Sequence, residues 1–230
     1  MQNLVSTFHD RQLQTIGKIL AGYSHELKNH LATIKESNGL MSDLLGRGIP
    51  HASVLQTKLL KLTETIDKRV SMVAAMAISL NGFAHRYDTP LCPFQLNDII
   101  NEELCFLDRF AHLQSIGLSI SFSEGLPMVY GNPSLIQFVF ANLFFYLLAT
   151  LQPGGEITVS SGQEESFVHF LLRPEGKMHE NRPEIATVDH DQELQAALKV
   201  VGSRLAMQSS DGTIRTIICN IPISNESKSK

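Results

Sequence analysis

Apolar residues return at alternating steps of three and four through Leu13, Ile16, Leu20, Tyr23, Leu27, His30 or Leu31, Ile34, Asn38, Met41 and Leu45. That spacing predicts one long helix with a coiled-coil seam. Glycine and proline in GRGIPH, residues 46–51, end it. A second series follows at Leu55, Leu59, Leu62, Ile66, Arg69, Val73, Met76, Leu80 and Phe83, with Arg69 as the break in its apolar character. Two such helices joined by a short turn make an antiparallel hairpin, and one hairpin alone buries too little to be stable. Pairing two hairpins gives a four-helix bundle, so a homodimer is predicted. Arg69 on the seam is either paired across that dimer with an acidic or polar group or snorkelling to solvent.

The pattern changes at YDTPLCP, residues 87–93, where two prolines mark a domain boundary. Helical spacing returns over 96–113, LSISF at 118–122 alternates as a strand, and turn residues fill 124–132. Residues 135–151, LIQFVFANLFFYLLATL, are at the lower limit of a membrane-spanning length but carry Gln137 and Asn142, and read as a buried core helix. After the turn Pro153-Gly154-Gly155, strands are predicted at 156–160 and 167–172, a polar stretch at 173–191, a helix at 192–207 and a last strand at 213–221. The expected domains are 1–86, a helical hairpin; 87–223, an α/β domain with helices packed on one mixed sheet; and 224–230, a disordered tail, SNESKSK.

Composition narrows the classes. With 230 residues, 43% of them hydrophobic and a formal charge of −4, the chain reads as a soluble globular protein without the basic field that holds nucleic acid or anionic lipid. No nucleic-acid or membrane partner is expected. The start, MQNLVSTFHDRQLQ, lacks a basic region followed by an apolar one, so a cytoplasmic location is predicted. Cys92, Cys105 and Cys219 show no C-x-x-C pairing and are expected to be buried thiols in a reducing compartment. The remaining histidines lack metal-ligand spacing, and no metal site is predicted.

One stretch carries chemistry: Ser24-His25-Glu26-Leu27-Lys28-Asn29-His30. His25 lies two residues from each of the seam residues Tyr23 and Leu27, so at about 100° per residue it points to solvent. Asn29 sits one turn later on the same face, and Glu26 stands beside His25 in sequence. An imidazole whose proton is held on one nitrogen by a carboxylate has a free lone pair on the other and can act as a nucleophile. His30, close to the seam, suits packing.

This stretch resembles the phosphoacceptor motif H-E-L-K-N of the sensor histidine kinases of two-component signalling, on its dimerisation helix. The resemblance implies that His25 is the phosphorylated residue, Glu26 its acid–base partner and Asn29 the residue supporting dephosphorylation of a receiver domain. It also implies docking of that receiver around Gly22, Lys28 and Ala32. His30 replaces the usual proline, so the customary kink is not expected. The second half is similar to the family's ATP-binding domain in layout, from FQLNDIINEELCFL through PGGEITVS to GTIRTIICNIP, and the likeness runs from residue 12 onward. The implied fold class is α plus α/β: a long helical hairpin forming a dimeric four-helix bundle, followed by an α/β sandwich of the histidine-kinase ATPase type.

The nucleotide residues of that family are mostly replaced. Asn142 matches the first asparagine of the N box, but Tyr146 stands where the magnesium ligand is expected. Glu175 and Gly176 fall where an aspartate and glycine box would read adenine, and no G-x-G run lies between Lys177 and Leu198 to cradle phosphates. Phe138, Phe140, Phe144, Phe145 and Tyr146 either fill the space of a nucleotide or pack a helix core. The expectation is a phosphorelay protein, akin to stand-alone histidine phosphotransferases. It would exchange a phosphoryl group between His25 and the aspartate of response-regulator receivers, bind no cofactor itself, and use magnesium held by the receiver. The rival readings are an active ATP-dependent kinase, a receiver phosphatase relying on Asn29, and a non-catalytic adaptor for a receiver or kinase.

Overall fold

The structure is a computed structural model and describes residues 2–46, 52–86, 91–180, 188, 190–210 and 213–223. Its elements run α1 (Gln2–Gly46), α2 (Ala52–His85), β1 (Cys92–Phe94), α3 (Leu96–Leu113), β2 (Gly117–Ser121), β3 (Val129–Gly131), α4 (Pro133–Thr150), β4 (Glu156–Glu164), β5 (Phe167–Glu175), α5 (Gln192–Val200), β6 (Arg204–Ser210) and β7 (Thr213–Pro222). The chain divides into two compact units, Leu20–Gly82 and a second made of Met1–Ile19 with Phe83–Lys230. The first turns of α1 therefore pack with the α/β part. The predicted tail, residues 224–230, and most of the GRGIPH turn lie outside the described residues.

The helical unit is the hairpin that the two apolar series predict. On α1 a single row turns inward: Tyr23, His30 and Ser37 are buried, with Leu27 and Ile34 half-buried between them and Met41 half-buried one turn on. The α2 series from Leu55 to Leu80 is half-buried at every position. Leu20, Leu31, Leu45, Leu60 and Val70 stay exposed on the single chain.

The α/β unit holds a five-stranded sheet in the order β2-β4-β5-β7-β6 and a two-stranded ribbon, β1-β3. Strand β2 runs parallel to β4, and the other pairs are antiparallel. Strands β4 and β5 turn one face inward, burying Ile157, Val159, Val168, Phe170 and Leu172. A two-residue turn at Glu165 and Ser166 joins them. A register shift opposite Gln208 and Ser209 leaves Arg215 out of the ladder, which brings Ile214 to the same buried face as Ile217, Cys219 and Ile221.

Helix α4 starts at Asn132, whose side chain accepts from the Leu135 amide, with Pro133 preset for the first turn. It is long and apolar enough to cross a membrane by length and composition, but 78% of that window is buried within the protein. Its buried character follows from packing on several sides: Phe140 meets Phe170 of the sheet edge-to-face at 5.3 Å, and Phe145 meets Phe110 of α3 at 5.1 Å.

Three sequence expectations need correction. The helix predicted at 192–207 stops at Val200, because Gly202 adopts a left-handed φ of 65° and the Gly202 and Ser203 amides turn back to Lys199 and Leu198. Residues 204–210 then form β6. The ribbon strands β1 and β3 were not predicted; each is three residues long, too short for a period to register. The cysteines are not uniformly buried: Cys219 is, with burial pushing its thiol up to about 12, but Cys92 is half-buried and Cys105 exposed on α3.

Candidate functional site

His25, Lys28, Asn29 and Ala32 are all exposed along one stripe of α1, with Gly22 partly covered a turn before them. The stripe exists because the inward row of α1 uses the opposite face. Asn29 Nδ2 lies 3.1 Å from His25 Nδ1. As drawn, the amide donates to Nδ1, which puts the ring proton on Nε2. Turning the carboxamide over presents Oδ1 instead, which accepts an Nδ1 proton and leaves the Nε2 lone pair facing solvent. Asn29 thus holds the ring through Nδ1, and the turn of its carboxamide decides which nitrogen keeps the lone pair.

Glu26 does not take the position beside His25 that its place in sequence suggests. Its carboxylate is directed one turn on, 3.9 Å from His30 Nε2. Neighbours at i and i+4 face each other on a helix, whereas i and i+1 diverge by about 100°. The His30 ring is buried, and its Nδ1 lies 3.2 Å from Arg69 Nη1 of α2. Arg69 therefore pairs within the chain, onto a histidine, and His30 has a packing and bridging role.

In the α/β unit the residues carried over to nucleotide binding are spread out. Asn142 has both ends of its carboxamide engaged: Oδ1 accepts from Arg11 Nη2 at 3.2 Å, and Nδ2 donates to the Phe138 carbonyl at 2.7 Å. Tyr146, one turn further, is half-buried. Glu175 is exposed at the end of β5, and Gly176 has φ 125°, where a Cβ would stand 2.9 Å from the Gly155 Cα. The glycine is thus required by close backbone packing on the 153–155 turn. Phe138, Phe140 and Phe144 are buried in the core. In this set the one amide oxygen accepts from a guanidinium, and the next turn offers the phenol of Tyr146. Among the described residues no group of three or more His, Cys, Asp or Glu is placed to hold a metal ion.

Sequence reasoning missed two clusters. The first is Arg11 with Asn142, Asp191 and Glu193, whose members are up to 182 positions apart. The second is Glu103 and Gln137, fully buried side chains whose polar atoms have no hydrogen-bond partner among the described residues. Both line a cavity of about 10 Å³ with Gln12, Thr15, Ile16 and Phe138. Burial, reinforced by the neighbouring Glu102, pushes the Glu103 carboxyl up to about 8.

Sensor histidine kinase ZraS of Escherichia coli strain K12 is 23% identical over 172 residues, 72% of this chain and 34% of that protein. Sporulation kinase A of Bacillus subtilis strain 168 is 20% identical over 166 residues, 72% of this chain and 26% of that one. The homologues of this chain are sensor histidine kinases. The chain spans about a third or less of the length of these kinases. No family model matches it. Among solved structures, histidine kinase ThkA in complex with response regulator protein TrrA covers 96% of this chain and 65% of that one, at 16% identity and a TM-score of 0.49. The chain itself has a helical hairpin, which carries His25, followed by a five-stranded mixed α/β unit.

Proposed function

We propose that the chain is a two-component phosphorelay protein that carries a phosphoryl group on His25 and exchanges it with the aspartate of a receiver domain, without using ATP. The observation that carries this reading is the pairing of an exposed His25, held by Asn29, with an Asn142 whose carboxamide is already committed to Arg11 and Phe138. With the Asn29 carboxamide turned so that Oδ1 accepts a hydrogen bond from Nδ1–H, the Nε2 lone pair attacks phosphorus of the receiver's aspartyl phosphate. The N–P bond forms as the P–O bond to the carboxylate breaks, and the reverse step discharges the histidine. Magnesium in the receiver's acidic pocket neutralises charge on the group in transit, so this chain needs no metal of its own. Gly22, Lys28 and Ala32 flank His25 and form the docking stripe. The exposed Leu20, Leu31 and Leu45 suit a second copy of the hairpin, giving a homodimer in the cytoplasm.

The test is transfer from a phosphorylated receiver to the purified chain, alongside incubation with magnesium and γ-labelled ATP, each with His25→Ala as control. Acid-labile label on His25 from the receiver alone is the expected result. Label from ATP restores the kinase reading, and label from neither leaves an adaptor.

A further inference from the structure

Helix α3 turns Ile99, Glu103 and Leu107 to the core along one row, and α4 does the same with Pro133, Gln137 and Ala141. Each row thus carries one polar residue where the spacing calls for an apolar one. Both side chains are buried, with Glu103 at 0% and Gln137 at 2% exposure. None of their four side-chain oxygen and nitrogen atoms has a hydrogen-bond partner among the described residues. Buried polar groups are almost always satisfied, so these two call for a ligand.

The two groups border the same space. They line the cavity of about 10 Å³, whose other polar neighbours are Gln12 and Thr15 and whose walls include Ile19 and Phe83. A cavity of about 10–15 Å³ is the smallest that admits a water, so this one has room for a single molecule and nothing larger. Its chemistry selects the same occupant. Burial holds the Glu103 carboxyl protonated up to about 8, so near neutral pH it presents one donor and one acceptor and no charge to attract an ion. The Gln137 carboxamide likewise presents both, whereas the Thr15 hydroxyl donates to the Arg11 carbonyl at 3.0 Å and offers lone pairs alone. Water has two donors and two lone pairs, and matches either end of each group.

We propose that Glu103 and Gln137 bind one ordered water molecule in this cavity, and that the water is a fixed hydrogen-bonded bridge between α3 and α4. It supplies the partner that each side chain lacks, at a small entropic cost. The inference is separate from the phosphorelay reading, because none of these residues belongs to the helical unit that carries His25.

Two measurements on the full chain test it. In laboratory-frame and rotating-frame NOE spectra the Gln137 side-chain amide protons are expected to show a water cross-peak of opposite sign, the signature of a held molecule as against proton exchange. Glu103→Gln has no carboxyl proton to relay that signal and is expected to keep the peak. Oxygen-17 relaxation dispersion, which counts long-lived internal waters, is expected to find one fewer in the double variant Glu103→Leu with Gln137→Leu, where both polar partners are exchanged together for apolar ones of similar size. If the double variant does not fold, the wild-type spectra decide. Absence of the cross-peak, its loss in Glu103→Gln, or a scalar coupling across a direct Glu103–Gln137 hydrogen bond overturns the proposal. So does an equal water count in the wild type and the double variant.

Discussion

Glu103→Gln removes an ionisable group that is fully buried, without changing the shape of the side chain. In the native protein burial first, and then Glu102, raise its carboxyl from 4.5 to about 8. The folded chain therefore keeps this proton over a range in which the unfolded chain has lost it. Since the native state binds more protons, this contribution to stability is fully present below about pH 4.5 and declines as pH rises to about 8. At 1.36 kcal/mol per pH unit the gap is worth roughly 5 kcal/mol, and water reaching the small cavity reduces it, so a loss of about 2–5 kcal/mol is expected. Glutamine is neutral at every pH and lacks the slope. Urea unfolding followed by circular dichroism between about pH 5 and about pH 9 compares the two proteins, and the other titrating groups cancel in the difference. The curves should meet near the acid end, with the variant the more stable by about 2–4 kcal/mol at the alkaline end. Parallel curves would refute the reasoning, because they would mean that Glu103 titrates alike in both states.

Gly176→Ala should lower stability by about 2 kcal/mol or more, read as an earlier thermal transition, since the residue holds φ 125° against the Gly155 backbone. Arg86 donates two hydrogen bonds to Glu102, at 2.7 and 3.2 Å, and both side chains are about three-quarters buried. A double-mutant cycle with Arg86→Ala and Glu102→Ala should return a coupling of about 1–2 kcal/mol, and a value near zero would make the pair ornamental. Asn29→Ala should remove the selection of one His25 tautomer, visible in ring nitrogen shifts, and should slow loss of receiver phosphate while receiver binding persists.

Both long helices and most of the sheet were legible because their apolar positions are periodic over many turns, as in the series from Tyr23 to Met41. The exposure of His25 was legible too, from its place two residues from each of the seam residues Tyr23 and Leu27. Local periodicity fails where a single residue decides: Gly202 ends α5, and residues 204–207, read as helix, belong to strand β6. It also fails where the partners are remote. Nothing near Arg11 indicates that Asn142, Asp191 and Glu193 will surround it, and nothing near Glu103 distinguishes a buried carboxyl from an exposed one on a helix with several acidic residues. The Glu26 placement shows a subtler limit, in which adjacency in sequence suggested a pairing that helical geometry gives to His30 instead.

The pairing of β2 with β4 has a consequence for the order in which the α/β unit assembles. Gly117 meets Glu156 thirty-nine positions away, across β3 and α4, whereas the β4–β5 hairpin closes between residues only three apart. The longer closure costs about 2 kcal/mol more in chain entropy, and nothing repays it until α4 is in place beneath the sheet. Strand β2 therefore joins after the β4–β5 hairpin has closed, and until it does the β4 edge stands open: a nascent chain halted before residue 156 has made β2 but not yet the strand it pairs with among the described residues.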